Sequence, residues 1–170
     1  MDGLSMTGEI SAEPMSPDRT VVDGSGDYDG DGKSDILWRS DSGEVGLWLM
    51  HGTSIVSEAT LNTVSKDWKI VDGSGDYNGD GKADLLWRNS DGTVAMWLMN
   101  GTTVANGAMV GPAAASMKIM DSAGDYNGDG KADILWRDDS GVVSIWAMHG
   151  ATLASQTAIQ TVSADWHLMG

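Results

Sequence analysis

Asp27, Asp29, Asp31 and Asp35 stand at alternating, closely spaced positions of one short stretch, D-x-D-x-D-G-x-x-D, with Gly32 and Lys33 between the last two. All their polar side-chain atoms are carboxylate oxygens, the donors that a hard divalent cation takes. Ca²⁺ accepts about 6 to 8 oxygens, and alternate residues of a tight loop turn inward while Gly at the sixth position permits the bend. At the seventh position Lys33 is expected to ligate through its backbone carbonyl and point its ammonium group at solvent. The pattern returns as Asp76, Asn78, Asp80, Lys82 and Asp84, and again as Asp125, Asn127, Asp129, Lys131 and Asp133. Three Ca²⁺ sites are therefore expected. The first has four carboxylates and the other two have three each, because Asn replaces the second Asp, so the first should bind most tightly. An EF-hand would need Glu at loop position 12, where Trp38, Trp87 and Trp136 stand instead. An Asp/Gly turn without metal is the alternative, but carboxylates packed this closely repel one another without a cation.

The loops belong to a longer repeat. GDYDGDGKSDILWR at 26–39 recurs as GDYNGDGKADLLWR at 75–88 and GDYNGDGKADILWR at 124–137, an offset of 49 residues both times. The same offset relates Trp48, Trp97 and Trp146, then Met50, Met99 and Met148. Trp68 and Trp166 share a column with Arg19 and Met117, so that position tolerates change. Within a unit, RTVVDGSGD, SDILWRS, EVGLWLM and the segment around SIVSEATLNTV are short runs rich in β-branched and aromatic residues, punctuated by Gly, Asp, Asn and Ser. They predict four strands per unit and no helix. Four strands at a period of about 40 to 50 residues is the pattern of propeller blades. The predicted fold is all-β: a β-propeller-type array of three four-stranded antiparallel blades with a 49-residue repeat, completed by self-association. The blades are placed at 19–67, 68–116 and 117–165. Residues 1–18 are expected to be a flexible leader, and 166–170 the start of a further strand.

The GDYNGDGKADILWR cores followed by VAMWLMNGTT resemble the FG-GAP/VCBS repeats of bacterial secreted proteins, which are related to the blades of integrin α-subunit propellers. The resemblance covers 19–170. It implies that the metal loop joins the first two strands of each blade, with strand A near Val21, strand B at 36–39, strand C at 45–50 and strand D near Leu61. It also implies an extracellular or cell-surface setting, although no signal peptide is visible. Family propellers have about seven blades; this chain holds three.

Twenty-five acidic residues against 10 basic ones give a formal charge of -15, which repels nucleic acid and anionic lipid. Three Ca²⁺ ions would reduce it to -9. With no cysteine, neither a disulfide framework nor a thiolate metal site can form, and no apolar run is long enough for membrane insertion. His51 and His149 precede a Gly and suggest turn positions. Arg39, Arg88 and Arg137 either hold an anionic ligand or pair with an Asp such as Asp41 or Asp139 while stacking on a Trp. The Trp columns are expected to pack between blades. No catalytic motif appears.

The expected function is a non-enzymatic calcium-binding module for binding, adhesion or self-assembly. The alternatives are a calcium-dependent lectin, since some fungal lectins resemble this family and bind sugars between blades, and an accessory domain of a secreted hydrolase. The expected partner is the chain itself, as a homodimer closing a six-bladed ring or as a head-to-tail filament. A glycan or a cell-surface protein is the other candidate, and the array as a piece of a longer propeller is the competing account of its blade number.

Overall fold

The computed structural model describes residues 15–163 and 165–166. The expectations for 1–14 of the leader and for 167–170 of the closing strand lie outside the described residues.

Twelve strands follow one another, and no helix occurs among the described residues. They are β1 Arg19–Asp23, β2 Ile36–Ser40, β3 Glu44–His51, β4 Ser54–Thr63, β5 Trp68–Asp72, β6 Leu85–Asn89, β7 Thr93–Asn100, β8 Thr103–Pro112, β9 Lys118–Asp121, β10 Ile134–Arg137, β11 Val142–His149 and β12 Thr152–Thr161. Each consecutive set of four forms its own antiparallel sheet, in the orders β1-β2-β3-β4, β5-β6-β7-β8 and β9-β10-β11-β12. The expected array of three four-stranded blades is what the chain forms.

Successive residues of a strand point to opposite faces. In β3 the alternate residues Val45, Leu47 and Leu49 point one way and Gly46, Trp48 and Met50 the other, so both faces are apolar and the run shows no polar alternation. A strand of this kind needs a neighbour on each side. The middle sheet has two. Between the first and second sheets, Tyr28, Leu37, Val45, Leu47 and Leu49 pack on Ala83, Leu85, Trp87, Ala95 and Met99. Between the second and third, Tyr77, Leu86, Val94, Met96 and Leu98 pack on Ala132, Ile134, Trp136, Trp146 and Met148. One interface is built twice from the same columns, and every sheet thus has a forward face, toward higher residue numbers, and a rear face.

Trp87 and Trp136 are buried between sheets, as expected, whereas Trp38, on the rear face of the first sheet, is buried with the Arg19 guanidinium over its ring. Paired indoles add edge contacts on the rear faces, Trp87 against Trp97 at 4.8 Å between ring centroids and Trp136 against Trp146 at 4.9 Å.

Candidate metal centre

Each Asp-rich loop joins the first two strands of its sheet, which brings the three loops to the same edge of their sheets. The local fold follows from side chains bonding to nearby amides. Asp27 accepts from Gly30 N through Oδ1 at 2.7 Å and from Gly32 N through Oδ2 at 2.8 Å. Asp29 Oδ1 accepts from Asp31 N, and Asp31 Oδ1 from Lys33 N, a run of Asx turns. Gly30 and Gly32 adopt φ of 80° and 82°, a left-handed backbone that residues with a Cβ rarely take. The second loop repeats the arrangement through Asp76, Asn78 and Asp80, and the third through Asp125, Asn127 and Asp129.

The ninth loop residue ties the loop to the sheet. Asp35 is buried; its Oδ2 accepts from Tyr28 N and its Oδ1 from Met50 N, both at 2.8 Å, linking the loop to β3. Asp84 does the same with Tyr77 N and Met99 N, and Asp133 with Tyr126 N and Met148 N. Burial is the main cause that pushes the Asp35 carboxyl above its ordinary range and that of Asp84 up to about 7; the two amide bonds to each oppose it. A carboxylate placed this way is costly to keep charged unless a cation stands beside it.

Asp27, Asp29 and Asp35 each offer a carboxylate oxygen, and these atoms lie within 4.8 Å of one another. Among the described residues theirs is the acidic group of this kind. The second and third loops place Asn78 and Asn127 at the matching position, so an amide oxygen takes the middle place there. Asp31 stands apart: its Oδ2 accepts from Lys33 Nζ at 2.7 Å, and that bond holds its carboxyl below the usual range. Lys33 thus lies at the surface, its side chain 39% exposed, with its ammonium group held to Asp31. Lys131 Nζ lies 3.8 Å from Asp129 Oδ2. Lys82 lies over the preceding loop, its Cγ 3.5 Å from the position a Cβ on Gly30 would take, and Lys131 stands over Gly79 in the same way at 3.4 Å.

Two sets of residues join the units, and the sequence reading gave neither its actual partners. Tyr28 and Tyr77, at the second loop position, point away from the carboxylates and into the next unit. The Tyr28 hydroxyl donates to Gly73 O at 2.6 Å, and that of Tyr77 to Ser122 O at 2.7 Å. Tyr126, equivalent by repeat, is 43% exposed, and its hydroxyl donates to Asp121 of its own sheet. Backbone bonds accompany them: Ala83 N donates to Asp27 O and Gly101 N to Tyr28 O, and Ala132 N and Gly150 N repeat this on Asp76 O and Tyr77 O. The signal was the unbroken Tyr column inside GDY.

The arginines do not pair with Asp41 or Asp139. Arg39 donates to the carbonyls of Val64 and Ser65 at the end of its own unit and of Trp68 at the start of the next, and Arg88 likewise to those of Ala114 and Met117. Their guanidinium carbons stand 5.7 Å from the Trp87 ring and 5.3 Å from the Trp136 ring. Asp139 is taken by Lys118 at 2.7 Å. Carbonyls left free at the end of a sheet need donors more than a solvated Asp does. His51 and His149 are exposed but are not turn residues as expected: they end β3 and β11, paired with Ser54 and Thr152 across two-residue turns.

The family model of the FG-GAP-like repeat matches residues 76–136, from the first carboxylate of the second loop to Trp136 of β10. The resemblance noted in the sequence is matched over that span, which holds two of the three Asp-rich loops. No curated protein matches the chain.

Proposed function

We propose that the chain is a non-enzymatic, calcium-stabilised binding module that works outside the cell, with one Ca²⁺ in each Asp-rich loop fixing the edge on which the units meet. The observation that carries this is the convergence of the Asp27, Asp29 and Asp35 oxygens within 4.8 Å. The donor set fits the ion: every side-chain ligand is a hard oxygen, and the loop positions match those of the family. Asp27, Asp29, Asp31 and Asp35 with the Lys33 carbonyl would hold the first ion. Asp76, Asn78, Asp80, Asp84 and Lys82 would hold the second, and Asp125, Asn127, Asp129, Asp133 and Lys131 the third. Bound Ca²⁺ would neutralise carboxylates that burial leaves expensive, so binding and folding are linked.

The adhesive role rests on the family resemblance and on the charge of -15, which favours cation-rich surroundings and disfavours nucleic acid. No helix among the described residues is long and apolar enough to cross a membrane. The lectin reading gains no support from Trp38, Trp87, Trp136 and Trp146, which are at most 2% exposed and offer no face to a sugar; Trp48, Trp68 and Trp97 are half-buried, and Trp166 is 50% exposed.

Calorimetric titration with CaCl₂ after EGTA treatment tests the reading. Calcium at about 100 times its Kd should stabilise each site by about 2.7 kcal/mol. Asp27→Ala, Asp76→Ala and Asp125→Ala should each lower the stoichiometry by one, with the largest loss of affinity from Asp27→Ala. A melting temperature unmoved between EGTA and millimolar calcium would remove the ion from the account.

A further inference from the structure

Among the described residues, the interface built twice inside the chain has each of its halves once more without a partner sheet. On the forward face of the third sheet, Leu135, Val143, Ile145 and Ile159 occupy the columns of Leu37, Val45, Leu47 and Leu61 in the first. Val45 and Leu47 are fully buried under the second sheet, and Leu61 packs against that cluster. Val143 and Ile145 are only half-buried, and Ile159 is 54% exposed. On the rear face of the first sheet, Ile36 and Met50 are half-buried and Ser34 and Thr53 exposed. Their counterparts Leu85, Met99, Ile134 and Met148 are fully buried, and Ala83, Ala132 and Ala151 are at most 8% exposed.

The polar groups are divided in the same complementary way. At both internal junctions a rear-face amide pair, Ala83 with Gly101 or Ala132 with Gly150, donates to a forward-face carbonyl pair. Among the described residues, the matching amides of Ser34 and Gly52 and the matching carbonyls of Asp125 and Tyr126 make no such bond. The glycine that admits the neighbour is also in place. A Cβ on Gly75 would stand 2.7 Å from Ser122 O across the second junction, and one on Gly26 would collide with Gly73 O across the first. Gly124 holds that column on the third sheet.

We propose that the forward face of β9–β12 is the docking site for the rear face of β1–β4 of a second copy of this chain, continuing the internal stacking from one molecule to the next. The contact is heterologous, so two chains close on each other or several form a line. In it, Tyr126 leaves Asp121 and donates to the second copy's carbonyl at position 24, as Tyr28 and Tyr77 do to Gly73 and Ser122. One local exchange accompanies docking. Arg137 donates to Ser163 O and Trp166 O of its own chain, the place that the second copy's residues 16 and 19 would take by repeat. Ser163 and Trp166 have no ladder partner among the described residues, whereas β1 is paired along β2, so they give way. Trp38 already has a cover: the Arg19 guanidinium stands 4.0 Å from its ring while its Nη1 donates to Glu58 Oε1 at 3.0 Å, and docking requires this side chain to leave the ring.

Sedimentation velocity in millimolar calcium, between about 1 and 100 µM chain, tests the proposal with two substitutions at exposed positions. The unaltered chain should show a mass that rises with concentration. Ile159→Asp spoils only the forward face and Thr53→Asp only the rear one. Each alone should sediment as a monomer, and an equimolar mixture should form a species of two chains through the one intact pair of faces. A chain ending at Ser163 should associate at least as tightly as the full one. The proposal is overturned by a monomer at every concentration, by either variant associating like the parent, by a mixture that stays monomeric, or by association lost on removing the terminal segment. Circular dichroism spectra that match the parent's confirm that the variants are folded.

Discussion

Replacing each loop tyrosine with phenylalanine compares one chemical change in two environments. Tyr28→Phe and Tyr77→Phe keep the ring and its packing but leave Gly73 O or Ser122 O without its donor, in a junction where both tyrosines are fully buried. Losing a neutral hydrogen bond and stranding a buried acceptor costs about 1 to 2 kcal/mol. For a chain of this size 1 kcal/mol lowers Tm by about 2 to 4 °C, so each substitution should lower it by about 2 to 8 °C. Tyr126→Phe removes a bond to Asp121 at a ring 43% exposed, where water replaces the lost partner, and should cost no more than about 0.5 kcal/mol. Differential scanning calorimetry in excess calcium, at a chain concentration low enough for monomers, would measure all three. If Tyr126→Phe destabilises as much as Tyr77→Phe, the hydroxyl acts within its own sheet and the cross-unit reading is wrong.

Two further substitutions use the same internal comparison. Arg88→Ala removes donors to Met117 O at 2.6 Å and Ala114 O at 3.0 Å and a contact with the Trp136 ring, and should cost about 2 kcal/mol by urea titration. Arg137→Ala, whose bonds reach only the exposed terminal segment, should cost less than about 0.5 kcal/mol. Gly75→Ala places a methyl group 2.7 Å from the Ser122 carbonyl and should lower stability by about 1 to 3 kcal/mol, measured as a lower urea midpoint. Gly124→Ala meets only the side chains of Asp121 and Tyr126 and should be tolerated better.

The repeat, the strand number and the loop positions were legible because each leaves a periodic trace: identical residues at a fixed offset, apolar runs of strand length, and glycines where the backbone must turn left-handed. The antiparallel order came with the blade pattern of four strands per repeat. The partners of Arg39 and Arg88 were not legible. A carbonyl acceptor has no letter in the sequence, so the visible candidates, Asp41 and Asp139, drew the expectation. Tyr28 and Tyr77 were passed over because they alternate with the carboxylates, which mark one side of the loop only. Lys33 was expected to face solvent, yet Asp31 two residues away offers a closer counter-charge. The clustering of Asp27, Asp29 and Asp35 without Asp31 depends on side-chain torsions that spacing does not encode.

The tyrosine and arginine clasps reach only forward, from each unit to the next, and so give the array a direction. The second unit is gripped by the first and itself grips the third, while each outer unit has one such junction within the chain. A perturbation at the start of the second unit therefore strikes the acceptors of Arg39 and Tyr28, and one in its loop strikes the donor side of the following junction. Local opening should begin in the outer sheets and leave the amides of β6 and β7 the slowest to exchange with solvent.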